Sequence, residues 1–133
     1  ILTMKNEFII DTLNSIEGYK TRLKEIHWSS PNMRIHELSD EFTTTLGDYE
    51  DQIAELAISL WGEIVPGELE PISSGDMDFL GLLQTILGKA IEVKRNCESG
   101  LMWTGIESVT DSFIADVQTY IFKVRMEYKS LKD

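Results

Sequence analysis

The sequence predicts an all-α protein, a four-helix bundle with one long crossover between helices 2 and 3. Apolar residues recur at steps of three and four along four segments, and no strand-like alternation competes with this pattern. Proline, glycine and serine are concentrated between the second and third segments, at 62–75. A length of 133 residues suits one domain with one core, so we treat 1–133 as a single domain.

The first half of the chain predicts two helices joined by a tight turn. Helix 1 covers 4–28, and the segment Ser29-Ser30-Pro31-Asn32 forms the turn. Pro31 suits the first turn of helix 2, which continues to about Trp61. A connection this short makes the two helices antiparallel neighbours. We therefore expect His27 and His36 to approach each other across the hairpin.

The second half predicts another pair of helices after the crossover. Helix 3 covers roughly 76–97, with Asp76 and Asp78 at its positive N-terminal end. Helix 4 begins near Thr104 and carries Lys129 and Lys132 at its C-terminal end, as the helix dipole prefers. A bundle with one long crossover is the ferritin-like arrangement.

Composition and charge exclude several classes of partner. A net charge of −11 argues against nucleic-acid binding through a general basic surface and against docking on an anionic membrane. Cys97 is the one cysteine, so no intrachain disulfide forms. The sequence contains no apolar run of the ~20 residues that span a bilayer, and no pattern in it supports secretion. We expect a cytoplasmic protein without direct DNA binding.

Helix 2 carries two polar pairs on a face separate from its apolar one. His36 and Asp40 are four residues apart, and so are Asp51 and Glu55. Asp40 and Asp51 are eleven residues apart, close to three turns, which puts both pairs on one side of the helix but roughly 16 Å from each other. Metal–ligand bonds for such groups are only about 2.0–2.2 Å. One straight helix therefore cannot bring both pairs to one metal ion.

Two copies of helix 2 packed antiparallel about a two-fold axis remove this difficulty. His36 and Asp40 of one copy then face Asp51 and Glu55 of the other, with the small residues Thr44 and Gly47 near the crossing. Because a two-fold interface is isologous, two equivalent sites result. A mixed histidine and carboxylate shell suits iron, manganese or zinc better than copper(I) or a thiolate cluster.

The same residues resemble a known family. The pattern His27-Trp28, then His36, Asp40, Asp51 and Ala54-Glu55 is similar to the signature of the Dps (miniferritin) family, and it covers about a quarter of the chain. This sequence has a shorter turn before His36 than the family, and Leu56 stands where the family usually has arginine.

The resemblance implies a ferroxidase site between subunits and an iron-storing shell. Its ligands would be His27, His36 and Asp40 from one subunit, with Asp51 and Glu55 from the two-fold mate. Trp28 would lie beside the iron and absorb oxidising equivalents. Peroxide or oxygen would oxidise Fe(II), and zinc or manganese could take the place of iron. The shell would be a homo-oligomer, a dodecamer built from two-fold dimers.

Each of these residues also has an ordinary structural interpretation. His36 and Asp40 could form a simple ion pair along the helix, and Asp51 and Glu55 could be solvated, as most helix carboxylates are. Trp28 could be a packing residue. The alternative function is therefore a non-enzymatic assembly protein that keeps the ferritin-like fold with a degenerate metal site, and the shortened turn before His36 favours it.

Overall fold

The computed structural model describes residues 2–63, 69–97 and 103–132, with side chains described from 7 onward and up to 131. These ranges contain four α-helices and no strand: α1 (Leu2–Ser29), α2 (Met33–Trp61), α3 (Phe79–Cys97) and α4 (Thr104–Lys132). The prediction of an all-α four-helix bundle is confirmed. None of the helices in these ranges is long and apolar enough to cross a bilayer.

The turn between α1 and α2 comprises 30–32 and ends in a side-chain cap. Asn32 has an extended backbone, and its Oδ1 accepts the Ile35 N–H at 2.8 Å, which satisfies one of the free donors that begin α2. Its Nδ2 donates to Glu127 at 3.1 Å and ties the hairpin to α4. Pro31 therefore precedes the cap, and the prediction that it lies in the first turn of α2 is wrong.

Helix α3 begins at Phe79 and not at the predicted residue 76, because the preceding backbone has other partners. Arg22 donates from Nε to the carbonyl of Met77 at 2.8 Å and from Nη2 to that of Asp76 at 3.1 Å. Asp78 Oδ1 accepts the Gly81 N–H at 2.8 Å, so Asp78 is the N-cap. Asp78 thus places a negative charge at the N-terminus of α3, as the sequence predicts.

Each helix packs antiparallel against two neighbours. Helix α1 contacts α2 and α3, and α4 contacts the same two helices from the other side. The connection between α2 and α3 therefore joins diagonal helices and runs along α1. There, Asn14 accepts the Ile72 N–H at 3.0 Å and the Glu70 N–H at 2.8 Å. The predicted crossover at 62–75 includes 64–68, which lie outside the described residues.

One hydrophobic core fills the space between the helices, with aromatic rings at its centre. Phe42 is fully buried, and its ring lies 6.4 Å from that of Phe79, 6.2 Å from that of Phe113 and 5.1 Å from that of Tyr120. The apolar stripe predicted for α2 is the side that enters this core. The face of α2 that carries the histidine and the carboxylates therefore lies away from the core.

Candidate metal centre

The two histidines meet at the hairpin because a proline leaves a carbonyl group free. In a helix the carbonyl of residue 27 would accept the N–H of residue 31, but Pro31 has no N–H. His36 Nδ1 takes its place and lies 2.5 Å from the His27 carbonyl oxygen. His27 Nδ1 in turn lies 2.8 Å from the His36 carbonyl oxygen. The predicted approach of His27 and His36 is thus present as a reciprocal pair of hydrogen bonds.

These hydrogen bonds fix the protons of both rings. A carbonyl oxygen only accepts, so each Nδ1 must carry a proton and donate it. In the neutral ring the lone pair then lies on Nε2, the nitrogen left for a metal ion. Metal-binding histidines are typically oriented in this way, by donating the other ring N–H to a carbonyl or carboxylate. His27 and His36 both have the tautomer that a metal ion needs.

The stacking of the rings limits how they could bind metal. Their centroids are 3.8 Å apart and their planes are inclined by 19°. A metal ion bonded to imidazole lies close to the ring plane at about 2.0–2.1 Å from the nitrogen. Two nearly parallel planes do not meet within that distance. One ion can therefore bind His27 or His36 in this arrangement, and binding both requires two ions or the rotation of one ring.

The three predicted carboxylate ligands are exposed on the outer side of α2. The side chains of Asp40, Asp51 and Glu55 all belong to the exposed class, while the buried residues of α2 occupy its opposite side. Within the described part of one chain, no group of three or more His, Cys, Asp or Glu residues converges in a way that could hold a metal ion. A single bundle brings His27 and His36 together, with Asp40 one turn further along α2, but it does not bring Asp51 and Glu55 to them.

Two large apolar side chains are exposed beside the histidines. Trp28 is 73% exposed at the end of α1, and Met33 is 67% exposed in the first turn of α2. Trp28 therefore does not pack in the core of its own bundle, so the packing interpretation is wrong for the described chain. Its position next to His27 is compatible with the predicted place of Trp28 beside a metal site.

A cluster that the sequence analysis did not identify joins α1 to α2. Lys20 Nζ lies 2.9 Å from both Glu17 Oε2 and Glu50 Oε1. Burial, and then hydrogen bonding to Glu17, raises the pKa of Glu50 to about 7. Hydrogen bonding to Glu50 lowers the pKa of Glu17 below its usual value. The signal in the sequence was Lys20, a charged residue within the apolar stripe of α1.

A second unpredicted feature is a polar groove between α2 and α4. Its volume is about 230 Å³, with Asp48 and Gln52 of α2 facing Ser112 and Asp116 of α4. Tyr49 lies at its base and donates to or accepts from the Thr110 hydroxyl at 2.8 Å. None of the five candidate ligands lines this groove, although Glu55 lies one turn beyond Gln52 on α2.

No family model matches this chain, and comparison with curated proteins and with solved structures finds no similar protein. The resemblance to miniferritins therefore depends on the residues of the hairpin and of α2 alone.

Proposed function

We propose that this protein is an iron-binding ferroxidase of ferritin-like architecture. It would bind Fe(II) at a site shared by two copies across a two-fold axis, oxidise the iron and store the ferric product in a protein shell. The observation that carries the proposal is the reciprocal His27/His36 pair, whose Nδ1–H donors bond backbone carbonyls and leave both Nε2 atoms for metal. The one long crossover supports the ferritin-like classification.

A site between copies suits the positions of the carboxylates. Asp40, Asp51 and Glu55 are exposed on the outer side of α2, where a second copy of the helix can reach them. Gly47 lies midway along this side, and a Cβ built there meets no atom within 4 Å, so it leaves room for a close crossing. A two-fold axis near Gly47 would bring Asp51 and Glu55 of one copy towards His36 and Asp40 of the other.

The contact between α1 and α2 offers a less suitable place for the metal. Glu17 and Glu50 are the carboxylates of α1 and α2 that come together there, and the Lys20 ammonium already lies between them. A cation entering this cluster would have to displace Lys20. The described contacts of Asp40, Asp51 and Glu55 on the outer side of α2 include no such ammonium group.

The reaction needs two Fe(II) ions for each peroxide. Each Fe(II) gives one electron, and the peroxide takes two electrons and two protons to form two water molecules. His27 and His36 would supply neutral nitrogen ligands, and Asp40, Asp51 and Glu55 would supply negative charge that favours Fe(III) over Fe(II). Trp28, exposed beside the histidines, would be covered by the second copy and could donate an electron to a stray oxidant.

The test is anaerobic Fe(II) loading followed by peroxide, with ferric absorbance as the readout. Asp51→Asn/Glu55→Gln is expected to reduce the oxidation rate at least about tenfold, since two metal ligands are a large share of the shell. The matched control is Glu63→Gln/Glu70→Gln, which removes two charges from exposed residues beyond the end of α2 and should oxidise iron like the parent. Equal rates in all three proteins would overturn the proposed site.

A substitution at the crossing tests whether the site lies between copies. Gly47→Leu should block close approach and abolish fast oxidation without unfolding the chain, because a Cβ at Gly47 has open space. Gly88→Leu on α3 is the control, since a Cβ there also meets nothing within 4 Å. Fast oxidation by a folded Gly47→Leu variant would contradict the two-copy site.

A non-enzymatic assembly protein is the second candidate, and the ring stacking favours it. The parallel planes of His27 and His36 give each ring a structural partner and no common metal position. This candidate predicts ferric absorbance no faster than buffer and a His27→Gln variant that loses stability without any loss of metal binding.

A further inference from the structure

Helix α4 has an outer face that its own bundle leaves largely uncovered. The residues of this face recur at steps of three and four along one side of the helix. They are Glu107, Asp111, Ala115, Gln118, Phe122, Arg125, Met126 and Lys129. Phe122 is 62% exposed and Met126 is 50% exposed, although both lie in the middle or later part of a long helix. The apolar ridge they form points to a partner.

Charge is segregated along this outer face. Its N-terminal half carries Glu107 and Asp111, and its C-terminal half carries Arg125 and Lys129. The helix dipole favours this order of charges, but it does not account for the exposed phenyl and thioether groups between and beside them. A partner must therefore cover the ridge and also present acidic groups to one half of the face and basic groups to the other.

We propose that the outer face of α4 binds the same face of a second copy, antiparallel about a two-fold axis near Gln118. In this register Glu107 meets Lys129 of the other copy, and Asp111 meets Arg125. Symmetry makes each pair occur twice, so four ion pairs form. A parallel arrangement would put like charges together.

Apolar side chains flank Gln118 at the centre of this register. Phe122 of one copy comes opposite Ile114 of the other, beside the small exposed Ala115. Ile114 is half-buried and already packs against the core, so it gives the phenyl ring a fixed surface. The facing segments, 107–129, are 22 residue steps, or roughly 33 Å, which is long enough for a continuous helix–helix contact.

An ion pair that already involves this face is compatible with this register. Lys94 Nζ bonds Asp111 Oδ1 within the chain. A carboxylate has two oxygens and can accept from two cationic groups at once. Arg125 of a second copy can thus approach Asp111 while Lys94 stays in place.

The proposal does not depend on the metal site, and a chelator separates the two. In EDTA the wild-type chain should form a concentration-dependent dimer in sedimentation equilibrium. Arg125→Glu/Lys129→Glu makes the face wholly acidic, and Glu107→Lys/Asp111→Lys makes it wholly basic. Each variant alone should weaken the dimer at least about 30-fold, because ion pairs become like-charge contacts. Circular dichroism checks that both variants remain helical.

Mixing the two variants gives the decisive result. An acidic-face chain and a basic-face chain should associate one to one, since the antiparallel register again pairs opposite charges. A wild-type chain that stays monomeric at high concentration in EDTA, or a dimer that neither reversal weakens, would overturn the proposal. Binding of that monomer to phosphatidylserine vesicles, lost with Phe122→Gln, would assign the face to an anionic membrane instead.

Discussion

Glu50 contacts Lys20 and Glu17, and these contacts together with burial change the chemistry of an ordinary carboxylate. Burial raises its pKa to about 7 from the usual 4.5, and Lys20 compensates only in part. Between these two values the folded chain keeps a proton on Glu50 that the unfolded chain has lost. Rising pH in this window therefore lowers the free energy of unfolding, and this loss of stability is complete above pH 7.

Glu50→Gln should remove this pH dependence, because a neutral amide replaces the carboxylate that burial disfavours. Urea unfolding at pH 5 and pH 8 should show the parent losing about 1–2 kcal/mol more than the variant over this interval. Glu37→Gln, at an exposed position of the same helix, is the matched control. If the two substitutions change the pH dependence equally, the cluster does not hold a proton on Glu50.

At the scale of elements, the crossover is held against α1 by three residues one helical turn apart. Asn14 bonds the backbone of Glu70 and Ile72, Gly18 lets the Ile72 carbonyl lie against the helix, and Arg22 bonds the carbonyls that precede α3. A Cβ at Gly18 would come within 1.7 Å of the Ile72 oxygen. Glycine is required here for close approach and not for its backbone conformation.

Gly18→Ala should destabilise the protein by about 1–3 kcal/mol, since the crossover must move away from α1 and lose its hydrogen bonds. Helix propensity alone predicts the opposite sign. Gly88→Ala is the control, because a Cβ there meets nothing, and it should stabilise by about 0.5–1 kcal/mol. Urea unfolding followed by circular dichroism measures both. A stabilised Gly18→Ala variant would show that the crossover does not lie against α1 in solution.

For the whole molecule, two different surfaces are proposed to bind copies of the chain. Pairing through α2 is expected to need metal, because the exposed carboxylates of the two copies repel each other without it, whereas pairing through α4 is not. We therefore expect light scattering to find dimers in EDTA and a larger particle with an even number of subunits when Fe(II) or Zn(II) is added. Four subunits would mean that the two two-fold axes cross at a right angle, and a larger even number would mean another angle or further contacts. A mass that metal leaves unchanged would contradict pairing through α2.

The sequence predicted the helices well because their apolar spacing repeats locally. The apolar stripe on α2 predicts which side of that helix is buried, and Pro31 with its neighbours predicts the hairpin between α1 and α2. The start of α3 was missed by three residues, because Arg22, distant in the sequence, bonds the carbonyls that would otherwise extend the helix. Local patterns do not include such competition from a remote side chain.

The sequence by itself determined four helices, a tight hairpin that brings His27 towards His36, and an outer face of α2 rich in carboxylates. Tertiary structure decided that the two rings stack, that each donates Nδ1–H to the other's backbone, and that Lys20 joins Glu17 to Glu50. Periodicity fixes which side of a helix a residue occupies. The rotation and depth at which two helices meet decide which side chains touch, and only the packed core sets those.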